Sequence, residues 1–179
     1  MPPCIAALDV GTTSVKACLF TPELELIACC VQEYALDARG GWVEARSETY
    51  LAAARDAMRA ALAAGVDSIE HGAYLSPETR SQLAESHAVW VPTLVTIGNL
   101  IGCGRFPDEV LRPLLSGAME NVRLAASLGA RIAPGSDAGA YRVLHGQGML
   151  DEYALLRQAI GENADAVLER GVCAIREKF

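Results

Sequence analysis

The chain has 179 residues and a mass of 19.0 kDa, which suits one ordinary domain or two small ones. Hydrophobic residues make up 51 % of it and charged residues 21 %, a balance that excludes intrinsic disorder. The net charge of −7 argues against a nucleic-acid partner, and no apolar run is long enough to span a membrane. The N-terminus has no secretory signal pattern, so we expect a cytoplasmic protein.

The first 46 residues have the pattern of β-strands. Apolar runs at 4–8, 15–20 and 24–34 are joined by short turns, which predicts an antiparallel meander because parallel pairing needs a long crossover. The six cysteines lack the spacing of a metal site or of a disulfide framework, and we expect free, mostly buried thiols. They are Cys4, Cys18, Cys29, Cys30, Cys103 and Cys173.

From Ser47 the pattern changes to helix. The first helix is predicted to run to about residue 64, and three short apolar runs follow at 66–70, 89–94 and 131–134. Helical stretches at 77–86, 108–128, 148–160 and 163–178 separate and follow these runs. Alternation of this kind predicts βα units with a parallel sheet.

The turn at residues 9–14 has two interpretations. Gly11, Thr12 and Thr13 offer a backbone N–H and hydroxyl groups that could surround a phosphate, and Asp9 could hold Mg²⁺ through water. The spacing is neither a P-loop nor a dinucleotide-binding fingerprint. A hairpin turn rich in turn-forming residues explains the same residues.

Residues 7–20, ALDVGTTSVKACLF, followed by GWVE at 41–44, resemble the N-terminus of the FGGY carbohydrate kinases, the group of xylulokinase and glycerol kinase. The resemblance covers residues 4–60 and implies the first phosphate-binding element of an actin-like ATPase domain. It implies that Asp9 serves the metal of Mg-ATP and that Gly11, Thr12 and Thr13 bind its phosphates. The family's catalytic aspartate, second phosphate loop and adenosine pocket have no counterpart in this chain.

Polar residues follow the three predicted parallel strands of the second half. Glu70 and His71 end the first of these strands, the segment VPTL (91–94) ends the second, and PGSDAG (134–139), which contains Asp137, follows the third. In a (β/α) barrel the carboxyl ends of the strands hold the active site, and imidazole and carboxylate are groups that a divalent metal can share. A histidine that only stabilises a loop and an aspartate that only caps a turn remain alternatives.

The segments AALAAGVDSIEHG (60–72), PTL (92–94), Glu120-Asn121, GSDAG (135–139) and His145-Gly146 resemble the C-terminal part of an amidohydrolase, with imidazolonepropionase and Xaa-Pro dipeptidase as the nearest branch. The resemblance covers residues 55–179. It implies strands six to eight of a metal-dependent barrel that hydrolyses a C–N bond. It also implies that His71 binds the metal, that Asp137 binds the metal and acts as general base, and that His145 lies near the substrate.

Much of that family's metal site has no counterpart in this sequence. The family's H-x-H pair on strand one and its histidine on strand five have no matching residue, because the chain has only 3 histidines. Its lysine on strand four has none either, because Lys16 and Lys178 lie at the two ends of the chain. A catalytic zinc needs at least three protein ligands, and the family positions supply two. We therefore expect a divalent metal to bind weakly or not at all.

Taken together, the sequence predicts an α/β fold, a partial (β/α) barrel preceded by an antiparallel meander of actin-like ATPase type. The two resemblances indicate a chimera, with a kinase-like fragment at 1–50 and an amidohydrolase-like half-barrel at 51–179. The predicted function is that of an incomplete amidohydrolase, weakly active or inactive alone, and a carbohydrate-kinase fragment and a non-catalytic scaffold are the alternatives. The open edges and one uncovered face of a half-barrel predict self-association as a dimer or larger.

Overall fold

The computed structural model describes residues 4–10, 14–33, 37–39, 42–44 and 47–178. These residues fall into two compact units, Met1–Val66 and Asp67–Phe179. The predicted boundary after residue 50 marks a change of family resemblance and stays a prediction, whereas the division after Val66 follows from the contacts. None of the helices described is long and apolar enough to cross a membrane.

The first unit contains an antiparallel sheet of three strands in chain order, which confirms the predicted meander. A short strand pair and one helix follow it. The elements are β1 (Ile5–Val10), β2 (Ser14–Phe20), β3 (Leu26–Glu33), β4 (Asp37–Arg39), β5 (Trp42–Glu44) and α1 (Ser47–Ala64). The actin-like ATPase architecture inferred for this part of the chain stays a prediction.

Strand β3 lies at the edge of its sheet, and all eight of its residues are exposed. The prediction that the cysteines are mostly buried is therefore wrong. Cys29 and Cys30 are exposed on β3, and none of the six thiols is buried. The physical reason is that a run of apolar residues predicts burial only when another layer covers the strand.

The second unit is built on a three-stranded parallel sheet in the order β6, β7, β8. Its elements are β6 (Ser68–Glu70), α2 (Pro77–Glu85), β7 (Val89–Val91), α3 (Val95–Gly98), α4 (Asp108–Ser127), β8 (Arg131–Ile132), α5 (Gln147–Ile160) and α6 (Ala164–Arg176). This confirms the predicted parallel βα pattern. Among the described residues no closed barrel is formed.

The helices of this unit begin and end where their sequences indicate. Ser76 caps α2, since its hydroxyl accepts a hydrogen bond from the N–H of Thr79, and Pro77 occupies the first helical turn. Helix α4 ends before Gly129, which adopts a φ of 90° that glycine tolerates without strain.

Both faces of the central strand β7 are buried. Val89 and Trp90 are fully buried, and consecutive strand residues point to opposite faces of a sheet. Val89 and Val91 contact Ala133 and the partly buried Val172 and Ile175 of α6. The prediction of one uncovered sheet face is therefore wrong at β7.

Helix α6 lies unusually close to β8. A Cβ atom built on Gly171 would stand 2.0 Å from the carbonyl oxygen of Ile132, so only a residue without a side chain fits there. At the C-terminal end of α6, the ammonium group of Lys178 contacts the carboxylate of Asp67, just before β6. The Lys178 ammonium holds the pKa of Asp67 below its usual value. The last described residue of the unit thus touches its first.

Candidate active site

Each strand of the parallel sheet is followed by a non-glycine residue in the left-handed backbone region. His71 follows β6 with φ 64°, Thr93 follows β7 with φ 52°, and Asp137 follows β8 with φ 52°. Histidine and aspartate visit this region occasionally, whereas a β-branched residue there is a genuine outlier. The strain costs about 1–3 kcal/mol at Thr93, and such strain concentrates at functional sites. Two of these residues, His71 and Asp137, are predicted site residues, and both lie at the same edge of the sheet.

His71 is held in place by three hydrogen bonds. Its N–H donates to the carbonyl oxygen of Val91 at 2.8 Å, and its own carbonyl accepts from the indole N–H of Trp90. Its Nδ1 atom lies 2.7 Å from the hydroxyl oxygen of Thr93. His71 itself is exposed, whereas the three residues that bond it, Trp90, Val91 and Thr93, are buried.

The hydrogen bonds of Thr93 favour one tautomer of His71. The Thr93 hydroxyl donates to the carbonyl oxygen of Pro92 at 2.8 Å, and a carbonyl can only accept. Because a hydroxyl has one hydrogen, a Thr93 hydroxyl that donates to Pro92 can only accept from His71, and in that arrangement Nδ1 carries the proton. In the neutral ring Nε2 then has a free lone pair, which is the form that binds metals or accepts protons.

Asp137 lies in the loop after β8, on the other side of β7 from His71. It is exposed, and its carbonyl oxygen accepts a hydrogen bond from the N–H of Ala140 at 3.1 Å. The strands β6 and β8 are separated by β7, which places them about 10 Å apart. His71 and Asp137 thus follow the carboxyl ends of two strands that are separated by β7. An ion shared between them would have to be reached by both side chains across this distance.

The described residues do not contain a complete metal site. No group of three or more His, Cys, Asp and Glu side chains comes together among them. His71 and Asp137 supply two ligands of suitable chemistry, one fewer than a catalytic zinc requires. The resemblance to metal-dependent amidohydrolases and the donor set of these residues therefore disagree.

The other predicted site residues lie elsewhere. His145 is exposed in the turn before α5, within the segment that follows β8 as predicted. Asp9 is exposed on β1, where it is paired in register with Lys16 of β2. Gly11, Thr12 and Thr13 lie outside the described residues. The phosphate-binding roles of these four residues, and the substrate-binding role of His145, stay predictions.

One residue of this region was missed by the sequence analysis. Glu152 on α5 is fully buried, and its Oε2 atom accepts a hydrogen bond from the N–H of Val95 at 2.7 Å. Its second oxygen, Oε1, is buried without a hydrogen-bond partner. Burial raises the pKa of the Glu152 carboxyl to about 7, although the N–H groups of Val95, Leu94 and Thr93 act to lower that pKa.

A pattern in the sequence could have revealed Glu152. The buried positions of α5 are Gly148, Glu152, Leu156 and Ala159, spaced by four, four and three residues. That spacing is one face of a helix, so a carboxylate on it must be buried.

No family model matches the chain. Uncharacterized proteins of Mycobacterium tuberculosis and Mycobacterium bovis are 34 % identical to it over 119 residues, which is 63 % of this chain and 31 % of theirs. The chain therefore spans about a third of the length of these relatives.

Solved structures that resemble part of this chain include a Xaa-Pro dipeptidase and an amidohydrolase. A Xaa-Pro dipeptidase with bound methionine in its active site shares 26 % identity and a TM-score of 0.50, over 68 % of this chain and 32 % of its own. The ochratoxinase of A. niger shares 19 % identity and a TM-score of 0.52, over 65 % of this chain and 26 % of its own. An amidohydrolase shares 23 % identity and a TM-score of 0.52, over 75 % of this chain and 37 % of its own. The chain therefore contains an amidohydrolase-like α/β fold.

The similarity to these solved structures supports the predicted resemblance to amidohydrolases. The resemblance of residues 4–60 to carbohydrate kinases, and with it the chimeric origin of the chain, stays a prediction from sequence.

Proposed function

We propose that the second unit contributes part of the active site of a hydrolase that cleaves C–N bonds, such as the amide of a dipeptide or a cyclic amide. The observation that carries the proposal is the row of three strained residues, His71, Thr93 and Asp137, at one edge of the parallel sheet. The carboxyl ends of the strands are where barrel enzymes place their catalytic groups. The likeness to a Xaa-Pro dipeptidase supports the reaction class.

The roles of the residues follow from their chemistry. His71 offers Nε2 for catalysis or metal binding, because its Nδ1 atom lies 2.7 Å from the hydroxyl oxygen of Thr93. The exposed carboxylate of Asp137 can accept a proton from a nucleophile or bind a cation. Two such groups do not complete a metal shell, so we propose that this chain alone is weakly active or inactive.

Zinc titration followed by dialysis tests the proposal. We expect weak zinc binding, well below one ion per chain after dialysis, that is lost in His71→Ala and in Asp137→Ala. His87→Ala is the matched control, since His87 is an exposed histidine beside Asp67, outside the row of strained residues, and its loss should change nothing. Zinc binding that persists without His71 and Asp137 would contradict the proposal.

Hydrolysis is measured on the same samples with a panel of Xaa-Pro dipeptides and cyclic amides. We expect turnover near background, raised by added zinc in the wild type and not in His71→Ala. Turnover that is equal in His71→Ala and the wild type would show that the site lies elsewhere or that the activity is a contaminant.

A further inference from the structure

We propose that Glu152 is a positioning residue for His71, acting through the segment that follows β7. The inference rests on the proposed function only in assuming that the Nε2 lone pair of His71 is used. Glu152 belongs to α5, and its carboxylate accepts a hydrogen bond from the backbone N–H of Val95. The connection to His71 passes through Thr93.

The first link is between Glu152 and the backbone of residues 93–95. Thr93 has a left-handed φ of 52° and Leu94 a right-handed φ of −56°. Consecutive residues of opposite hand aim successive N–H groups into one concavity, which favours an anion. The buried carboxylate of Glu152 fills that concavity, with the shortest bond at Val95 N–H, 2.7 Å from Oε2.

The second link is the strain at Thr93. A left-handed conformation is unfavourable for a β-branched residue and persists only where the surroundings hold it. Here the surroundings are the Glu152 carboxylate on the N–H side and the bond from the Thr96 hydroxyl to the Thr93 carbonyl, 2.8 Å. Without the carboxylate, the buried N–H of Val95 would lack its acceptor, and the segment would relax toward an ordinary conformation.

The third link is between Thr93 and His71. The backbone conformation of Thr93 directs its hydroxyl both to the Pro92 carbonyl and to Nδ1 of His71. Any relaxation at Thr93 moves this hydroxyl, and the imidazole loses the bond that favours its tautomer. Glu152 therefore influences, through Thr93, which nitrogen of His71 is free.

The test measures the tautomer of His71 by ¹⁵N NMR of the imidazole ring in the metal-free protein at pH 8, where an ordinary imidazole is neutral. We expect the wild type to carry its proton on Nδ1. Thr93→Val removes the hydroxyl and keeps the branched shape, so the ratio of Nδ1–H to Nε2–H should fall about threefold to tenfold, the value of one hydrogen bond. Thr93→Ser should retain the wild-type ratio.

The decisive variants are at Glu152. Glu152→Met keeps the length of the side chain without an acceptor, and we expect the ratio to fall in the same direction as in Thr93→Val. Glu152→Gln retains a carbonyl oxygen for Val95 and should restore most of the ratio. Asp151→Asn is the matched control, because Asp151 lies on the same helix and bonds Asn99 rather than the segment at 93–95. Its ratio should equal that of the wild type.

Glu152→Asp covers the case in which Glu152→Met does not fold. It keeps the charge but is one methylene too short to reach Val95, and its ratio should also fall. An unchanged tautomer ratio in the folded Glu152 variants, with a clear change in Thr93→Val, would overturn the proposal. The measurement uses no metal and no substrate, so a failure of zinc binding would count against the proposed function and not against the role of Glu152.

Discussion

At the scale of single residues, the buried carboxylate of Glu152 has one oxygen with a hydrogen bond and one without. Oε2 of Glu152 has a short bond to Val95, whereas Oε1 is buried with no partner among the described residues. Loss of hydration outweighs the backbone N–H groups, and the pKa of the carboxyl rises to about 7. Ionisation of Glu152, which supports residues 93–95, therefore lowers the free energy of unfolding.

This residue predicts a pH dependence of stability. A folded-state pKa of about 7 lies above the ordinary value of 4.5, so the native state binds the proton more tightly than the unfolded state does. The contribution of Glu152 is full below pH 4.5 and is lost as the pH rises through 7. We expect the free energy of unfolding to fall by up to about 3 kcal/mol across this interval, measured by urea unfolding.

The control variants separate Glu152 from other carboxylates. Glu152→Gln cannot titrate and should flatten the slope between pH 5 and 8. Asp108→Asn should leave that slope unchanged, because the N–H of Gly102, followed by Arg112, lowers the pKa of Asp108 and moves its titration below this range. A wild type whose stability is constant or rises between pH 5 and 7 would contradict the assignment.

At the scale of elements, the contact between α6 and β8 is set by a missing side chain. Gly171 lies in the middle of α6, where glycine normally lowers helix stability. It is tolerated because the position of its Cβ atom is occupied by the Ile132 carbonyl of β8, part of the backbone, which cannot move aside as a flexible side chain can.

A pair of glycine substitutions tests this contact. Gly171→Ala should destabilise the protein by about 1–3 kcal/mol, the usual cost of overpacking. Gly117→Ala is the matched control in α4, since its Cβ atom would meet the Tyr74 ring at an ordinary 3.6 Å. It should be neutral or stabilising by up to about 1 kcal/mol. Urea unfolding of both variants measures the difference, and equal effects would show that α6 can move away from β8.

Sequence patterns predicted the type and order of most elements but not the ends of the parallel strands. The predicted strands 66–70, 89–94 and 131–134 are observed as β6, β7 and β8, which have three, three and two residues. Pro92 and Pro134 have no N–H for the ladder, and left-handed residues follow each strand. Apolar character extends past these points, so hydrophobicity alone overestimates the strands.

The sequence named candidate site residues, and their roles stay predictions, whereas the geometry around them could not be predicted. The motifs around His71 and Asp137 identified two side chains, because each resembles a family segment at a strand end. The geometry at Thr93 depends also on the hydrogen bond between Glu152 of α5 and Val95, which are 57 residues apart in the chain. A contact of that range has no local signature in the residues 93–95.

At the scale of the whole molecule, the exposed edge strand β3 bears on the predicted self-association. Leu26, Ile27 and Val31 are 58, 54 and 48 % exposed, and an edge strand offers unpaired N–H and C=O groups to a second chain. The edges at β6 and β8 are much shorter. Since both faces of β7 are buried, we propose that β3, rather than the parallel sheet, is where two copies meet.

Light scattering tests this proposal. We expect a mass near twice 19.0 kDa or larger for the wild type and a shift toward 19.0 kDa for Ile27→Lys, because a charge on the edge opposes strand pairing. Glu25→Lys, in the loop before β3, is a control for added positive charge and should leave the mass unchanged. A wild type that stays monomeric at high micromolar concentration would contradict self-association, and a dimer unaffected by Ile27→Lys would locate it elsewhere.

The contact between Lys178 and Asp67 brings the two ends of the second unit together. An ion pair between partly exposed groups weakens as salt screens it, so the attachment of the segment after α6 to the start of β6 should loosen as the ionic strength rises.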